Sequence, residues 1–383
     1  MFGKSKTASI ELKKETRVRV DDRGMIDLPY LALTLLLTAI GLVMLFSASY
    51  VRAHYLTGNS ASYFISQFIF ALLGIGALIG ISFLPYAWYR YFSRIIYAVA
   101  IVLLVAVMLV GRTTNGATRW IDLGFTKFQP SELAKFAVIT VLADLMTRYR
   151  HDIKGARVFL SCGAAIAVVA LLLFPEPHFS AIIIIGTVGF AMMLVGGANK
   201  KALLIMVAAA VALLAFLLLS GAYTSDRINA WLDPESDPLD TGHQIIQSLN
   251  AIGSGGLTGL GFGHSREKYL YLPEEHNDYI FSIICEELGF IGAVLILLLF
   301  ALLILRGFWI AMHAPTRFAT LMAFGLTTLL AVQVLLNVAV VTNTLPSTGI
   351  SLPFFSSGGT ALIVQMAECG IMLNISRSIH QTS

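Results

Sequence analysis

Charged residues are scarce in this chain. Asp, Glu, Lys and Arg make up 13% of its 383 residues, whereas soluble globular domains carry about 25%. Hydrophobic residues reach 57%, the mean hydropathy is +0.79, and long uncharged runs recur along the whole sequence. This balance excludes a string of soluble domains and predicts an all-α, polytopic membrane protein.

Cysteine and the common cofactor motifs are scarce as well. Cys162, Cys285 and Cys369 all lie in apolar runs, which predicts small buried side chains rather than a disulfide framework or a metal site. No P-loop, dinucleotide fingerprint, metal-ligand spacing or nucleophile elbow stands in the context that it requires. The sequence therefore gives no support to ATP-driven transport or metal-dependent hydrolysis.

The uncharged runs divide into ten candidate membrane helices, predicted at 28–50, 63–85, 92–111, 131–148, 156–174, 179–197, 201–223, 279–305, 318–342 and 359–375. With the N-terminus in the cytoplasm, the inner segments hold 18 of the 26 Lys and Arg residues, the outer segments hold seven, and Lys135 lies within a helix. This distribution follows the positive-inside rule and predicts an N-in, C-in topology. The net charge of +4 thus reflects topology and not nucleic-acid binding.

The same spans give the predicted domain organisation. A cytosolic tail covers 1–27, a ten-helix membrane domain covers 28–375, and a second cytosolic tail covers 376–383. A large extracytoplasmic loop covers 224–278, between the seventh and eighth helices. Within it, the apolar spacing over Gly242–Ile252 predicts a short helix at the membrane interface.

The stretch Leu272–Phe281 concentrates ionisable groups at the mouth of the eighth helix. Asp278 could simply cap that helix, because Asn and Asp satisfy the free amides of a helix start. Glu274, His276 and the preceding Lys268 favour a second interpretation, since carboxylates and a cation at a low-dielectric boundary can tune a general base. The glycine-rich stretch 255–263 just before it predicts a hinge.

A second group of polar residues flanks the fourth helix. Lys135 lies about 6 Å below the start of that helix at 1.5 Å per residue, and charges at such depth usually face a cavity or a partner. Glu132 precedes it by three residues, so a structural ion pair and an anion-binding cation both fit the pattern. Trp120 by itself is typical of an interfacial aromatic belt.

Two further features lie at or within the last helices. Glu286, Glu287 and Glu368 fall within apolar spans, which predicts polar pairs that fix helix packing. The uncharged stretch Leu345–Thr360 is rich in Ser, Thr, Gly and Pro. Such backbone must be buried in protein or line a wet cavity, which fits either a re-entrant turn or a polar wall facing a headgroup.

In five motifs the chain resembles the SEDS family, which includes FtsW, RodA and SpoVE, and the FtsW and SpoVE branch is the most similar. The resemblance covers nearly the whole chain. The motifs are Ala117–Trp120, Gln129–Lys135, Gln247–Gly259, Leu272–Phe281 with Glu286–Gly289, and Leu345–Thr360.

The resemblance implies an enzyme, a peptidoglycan glycosyltransferase in the bacterial cytoplasmic membrane. Such an enzyme polymerises lipid II into β-1,4 glycan strands on the outer face, together with a class B penicillin-binding protein and other divisome membrane proteins. It implies that Asp278 is the essential acid and that Trp120 is the motif tryptophan. An inverting transfer needs one positioned base, and Asp278 is the candidate.

The remaining site residues are candidates for substrate binding. No intrinsic cofactor and no protein-bound metal are expected, although a divalent cation, Mg²⁺ or Mn²⁺, could accompany the lipid pyrophosphate. The candidates are Trp120, Arg119, Lys135, Glu132, Lys268, Glu274, His276, Gln244, Ser248, Ser356 and Ser357.

The sequence departs from the family pattern in two places, and it leaves two other functions open. Pro175–Ser180 has His178 where the family usually has aspartate, and Ser357 stands where it usually has tyrosine. A lipid II flippase would line its passage with Lys135, Glu286 and Glu287. A non-catalytic division scaffold would need none of these side chains.

Overall fold

The structure is a computed structural model that describes residues 24–114, 117–122, 124, 126–219, 225–238 and 242–379. The predicted tails therefore lie almost entirely outside the described residues. The helices are α1 Leu28–Thr57, α2 Ser62–Phe83, α3 Ala87–Val110, α4 Pro130–Arg148, α5 Ala156–Leu173, α6 Phe179–Gly196, α7 Lys200–Leu219, α8 Ser225–Leu232, α9 His243–Gly255, α10 Ile280–His313, α11 Arg317–Val341 and α12 Gly359–Arg377.

The helices confirm the predicted helical class, and their bounds follow the predicted spans closely. Among the described residues, eight helices are long and apolar enough to cross a membrane. The other two long helices are α4, which carries four charged residues, and α7. The number of ten membrane spans stays a prediction.

Helix α4 lies at the centre of the bundle. Most of its residues are buried, and it packs against α3, α5, α6 and α11. Helix α12 packs along α2, where small residues bring the two backbones close together. A methyl group added to Gly370 would lie 2.6 Å from the Leu78 carbonyl oxygen, so only glycine fits there.

A small antiparallel sheet, absent from the sequence prediction, covers one end of the bundle. Its strands are β1 Arg112–Thr114, β2 Ala117–Asp122 and β3 Lys127–Phe128, in that order. In the register, Arg112 pairs with Trp120 and Ile121 pairs with Phe128. Because β3 ends two residues before α4 begins, the sheet places Arg119 and Trp120 close to that helix.

Helix α10 bends sharply at Gly289, where φ is 67° and ψ is −171°. The bend lets the glycine-rich stretch pair with the helix: the Leu260 amide donates to Glu286 O at 3.0 Å, and the Phe290 amide donates to Gly256 O at 2.9 Å. A methyl group on Gly259 would lie 2.2 Å from Glu287 O. Gly259 is therefore closely packed against α10, whereas nothing lies within 4 Å of a methyl group added to Gly256 or Gly263. The hinge at 255–263 stays a prediction.

The short helix predicted at 242–252 is present as α9. Its buried face consists of Ile245, Ser248, Ala251 and Gly255 and packs against α10, whereas Leu249 is exposed. Because the buried face contacts protein, α9 is a structural part of the bundle end.

We predict that Gly259→Ala destabilises the chain, because its φ of +79° and the contact with Glu287 O leave no room for a methyl group. The cost is about 2–4 kcal/mol. The thermal unfolding midpoint in detergent micelles measures it. Gly253→Ala is the matched control, since nothing lies within 4 Å of a methyl group there and Ala is the better helix former. Equal midpoints for both variants would contradict the packing role.

Candidate functional site

The acidic segment, Pro273–Tyr279, is a tight turn ahead of α10. Helix α10 begins at Ile280, its cap position is Tyr279, and no side chain makes a capping hydrogen bond there. Glu274 has a φ of 55°, and the Asn277 amide donates to its carbonyl at 3.0 Å while the Asn277 side chain donates to its carboxylate at 2.7 Å. Asn277 thus stabilises the turn, and neither it nor Asp278 occupies the cap position.

The polar loop Leu345–Gly358, here called the serine loop, holds this segment by its backbone. The Ser357 amide donates to His276 O at 2.9 Å, and the Ser356 hydroxyl donates to Asn277 O at 2.7 Å. The Tyr279 hydroxyl donates to Ser347 Oγ at 3.3 Å. The serine loop therefore packs its polar groups against the acidic segment. The interpretation of this loop as a polar wall facing a headgroup stays a prediction.

Two buried side-chain amides, one on α2 and one on α11, also bind the serine loop. Neither residue was predicted from the sequence. Gln67 of α2 donates to Ser356 O at 3.2 Å and accepts from the Gly358 amide at 3.1 Å. Asn337 of α11 donates to Asp278 O at 2.8 Å and to Ile350 O at 2.6 Å. The available signal was a polar residue within an apolar span, which usually has a partner inside the protein.

The side chain of Asp278 is partly exposed and faces Gly349 of the serine loop. Gly349 has a φ of 66°, and a methyl group added there would lie 3.2 Å from Asp278 Oδ2. Glycine therefore leaves space beside the carboxylate that other residues would fill.

Glu275 anchors the acidic segment to α1. Its carboxylate is fully buried and accepts a hydrogen bond from Arg52 Nε at 2.7 Å. The His276 imidazole lies 4.0 Å from the same carboxylate and meets the Tyr63 ring edge-on, with 4.6 Å between ring centroids. Burial alone would raise the pKa of Glu275, but His276 and Arg52 together hold it below its usual value. His276 thus faces α1 and α2.

Lys268 is buried away from Asp278, in a cluster on the bend of α10. Its ammonium donates to Glu287 at 2.9 Å and to Ser47 Oγ at 3.3 Å. Glu286 accepts from the Arg266 amide at 2.8 Å. Glu286 and Glu287 therefore have the packing role predicted for them, and the contact of Lys268 with substrate stays a prediction.

Glu132 and Lys135 form the ion pair that their spacing predicts, at 2.8 Å, with Lys135 buried. Glu132 also lines a polar cavity between α4, α11, α12 and the serine loop. The other polar residues of its wall are Gln333, Ser351, Ser356, Ser357, Gln365 and Glu368. The role of Lys135 as an anion-binding cation stays a prediction.

Arg119 joins the small sheet to the turn between α5 and α6. Its guanidinium donates to Glu176 O at 3.2 Å and to Pro177 O. Burial raises the pKa of Glu176 to about 7, against the opposing effect of Arg119. Burial, with Arg119 and Lys135 nearby, lowers the pKa of His178 well below its usual value. The turn therefore adds no fixed positive charge through its histidine.

Gln244 and Ser248 of α9 form hydrogen bonds with neighbouring segments of the protein. The Gln244 amide donates to Pro273 O at 3.3 Å. The fully buried Ser248 hydroxyl donates to Val341 O at 2.7 Å and lies 2.7 Å from Ser282 Oγ. Both residues thus position the acidic segment and α10, and their contact with substrate stays a prediction.

The structure brings one subset of the predicted residues together. The serine loop connects the acidic segment, with Asp278, to the cavity that Glu132 and its partner Lys135 border. Within the described ranges, no group of three or more His, Cys, Asp or Glu residues could hold a metal ion. The divalent cation expected to accompany the lipid pyrophosphate stays a prediction.

Comparison with known proteins identifies the family. Residues 28–381 match the family that comprises FtsW, RodA and SpoVE and is described as cell cycle protein. The chain belongs to this family. The FtsW/RodA/SpoVE match spans all the long helices and both halves of the site.

Individual relatives are similar over almost their full length. The chain is 39% identical to stage V sporulation protein E of Bacillus subtilis, over 92% of this chain and 97% of that protein. It is 38% identical to a Geobacter sulfurreducens protein named "Probable peptidoglycan glycosyltransferase FtsW", over 91% and 95%. The similarity to both branches agrees with the resemblance seen in the motifs.

Solved structures share the fold. One comes from work on structural coordination of polymerization and crosslinking by a peptidoglycan synthase complex, with a TM-score of 0.79, 28% identity and coverage of 93% of this chain and 99% of that chain. Another is the rod shape determining protein RodA of Thermus thermophilus, with a TM-score of 0.69, 27% identity and coverage of 92% and 97%. These similarities confirm a polytopic family fold.

We predict that Glu176→Gln removes part of the pH dependence of stability. The pKa of Glu176 is raised from its ordinary value of 4.5 to about 7, so the folded chain retains a proton that the unfolded chain releases. Its stabilising contribution is complete below about pH 4.5 and is lost as pH rises through about 7. Unfolding midpoints at several pH values test this, with the exposed Glu235→Gln as control. Parallel curves for parent and Glu176→Gln would contradict it.

Proposed function

We propose that this chain is a peptidoglycan glycosyltransferase that polymerises lipid II on the outer face of the bacterial cytoplasmic membrane. The observation that carries the proposal is the pairing of a backbone-anchored, partly exposed Asp278 with a polar cavity beside the Glu132–Lys135 pair. Relatives named as peptidoglycan glycosyltransferases support the reaction class.

The reaction requires one base and one stabilised leaving group. The C4 hydroxyl of one lipid II GlcNAc attacks C1 of the MurNAc of another, and the proton of that hydroxyl passes to the Asp278 carboxylate. The bond between C1 and the pyrophosphate oxygen breaks, and undecaprenyl pyrophosphate leaves. A β-1,4 bond made from an α-linked donor inverts C1, which needs no covalent intermediate.

The position of Asp278 suits a base. Its carbonyl is fixed by Asn337, its neighbours are fixed by Ser356 and Ser357, and the residue is half-buried beside Gly349. A general base works from a fixed position within hydrogen-bond reach of the proton that it accepts. The backbone bonds supply that fixed position.

The leaving pyrophosphate requires positive charge or amide donors. Lys135 pairs with Glu132, which lines the cavity. Arg119 lies in the sheet near the start of the same helix, and a divalent cation carried with the substrate could share the task. Lys268 has no part in this proposal, because it is buried at the bend of α10, where it pairs with Glu287 and donates to Ser47.

The proposed partners are lipid II, a class B penicillin-binding protein and other membrane proteins of division or sporulation. The similarity to a chain from a peptidoglycan synthase complex supports a synthase partner. A lipid II flippase finds less support, because Glu286 and Glu287 are buried in packing contacts and do not line an open passage.

We predict that Asp278→Asn folds but forms no glycan strands. The amide keeps the shape of the side chain and cannot accept the hydroxyl proton, so polymerisation falls by at least about a hundredfold. The assay incubates the purified chain and its penicillin-binding partner with labelled lipid II and displays glycan ladders on a gel.

Asp233→Asn is the matched control, since Asp233 is an exposed aspartate of the same large loop. This variant should retain the full ladder. Ladders from Asp278→Asn equal to those of the control would refute the assignment. Transfer of lipid II across liposome membranes without polymer would instead indicate a flippase.

A further inference from the structure

Asn337 occupies an unusual position between the acidic segment and the serine loop. It lies one turn before the end of α11 and is completely buried. Its Nδ2 donates to Asp278 O at 2.8 Å and to Ile350 O at 2.6 Å. A carboxamide has two N–H hydrogens, so one nitrogen uses its entire donor capacity to join these two segments.

We propose that Asn337 is the positioning residue for Asp278, in that it fixes the distance between the reactive carboxylate and the loop that faces it. The inference rests on the proposed function, in which Asp278 is the base. It assigns Asn337 no contact with substrate, because the side chain is buried beneath both segments.

The geometry shows how one amide can set that distance. Ile350 follows directly after Gly349, the residue whose added methyl group would lie 3.2 Å from Asp278 Oδ2. Asn337 therefore holds the backbone of both segments beside the carboxylate, at the Asp278 carbonyl on one side and the Ile350 carbonyl on the other.

Other residues at this position would fail for identifiable reasons. Leucine has a similar volume but donates nothing, and two buried carbonyl oxygens would lose their partner. Serine keeps one donor on a shorter side chain. Because displacement of a catalytic group by about 1 Å can reduce turnover by about a hundredfold, loss of the amide should affect turnover more than substrate binding.

A second buried asparagine provides the control for a purely structural role. Asn374 of α12 donates from Nδ2 to Ser82 O at 2.9 Å, and its Oδ1 accepts from the Tyr86 amide at 2.9 Å. It joins α12 to the connection between α2 and α3, at the opposite end of the bundle from Asp278. Its removal costs stability without touching the site.

The test compares Asn337→Leu, Asn337→Ser and Asn374→Leu with the parent chain, each purified with its penicillin-binding partner. Initial polymerisation rates are measured against lipid II concentration and normalised to folded protein. We expect Asn337→Leu to lower kcat at least about tenfold with KM changed by less than about twofold. Asn337→Ser should fall between it and the parent, and Asn374→Leu should keep the parent kcat.

An unchanged kcat for Asn337→Leu would overturn the proposal, and so would equal losses in Asn337→Leu and Asn374→Leu. If Asn337→Leu does not fold, Asn337→Ser decides, and a parental kcat for that variant refutes positioning. Asp278→Asn in the same series separates the two proposals. If it stays active, the proposed function fails; if it is inactive while both Asn337 variants keep the parent kcat, only this inference fails.

Discussion

The hydrogen bonds between the serine loop and the acidic segment are the constraint on which the candidate site depends. Neither stretch is helical, and irregular backbone beside a membrane must find its hydrogen-bond partners within the protein. The carbonyls of His276, Asn277 and Asp278 each receive one donor, from Ser357, Ser356 and Asn337. The hydrogen bonds that satisfy these three carbonyls also hold Asp278 in place. The same bonds therefore make burial of the irregular backbone possible and fix the position of the proposed base.

Several charged side chains of the described residues are held in pairs. Unpaired charge is costly where water is excluded, and removal of one member of such a pair leaves the other exposed to that cost. Paired charges of this kind serve mainly to fix helices and loops. The pairs are Arg52 with Glu275, Lys135 with Glu132, Lys268 with Glu287, Arg90 and Arg148 with Asp144, and Arg306 with Asp27.

Three features could be predicted from sequence because their signals are local. Apolar runs predict the helices, and a spacing of three residues predicts the Glu132–Lys135 pair. The sequence motif itself marks Pro273–Tyr279 as important. The partner of Lys268 could not be predicted, since Glu287 lies 19 residues further along the chain. Gln67 and Asn337 carry polar groups whose partners lie hundreds or tens of residues away. The three-stranded sheet escaped prediction because its strands are two to six residues long.

Hydrogen–deuterium exchange of the purified chain in micelles, read by mass spectrometry, tests the central claim most directly. If the serine loop and the acidic segment hold each other by buried backbone bonds, amides of 350–358, including the Ser357 amide, exchange as slowly as those of α11. Amides of the exposed stretch 262–264 exchange fast and set the upper reference. Exchange of 350–358 at the rate of 262–264 would contradict the account, because a loop that opens freely cannot hold Asp278 in position.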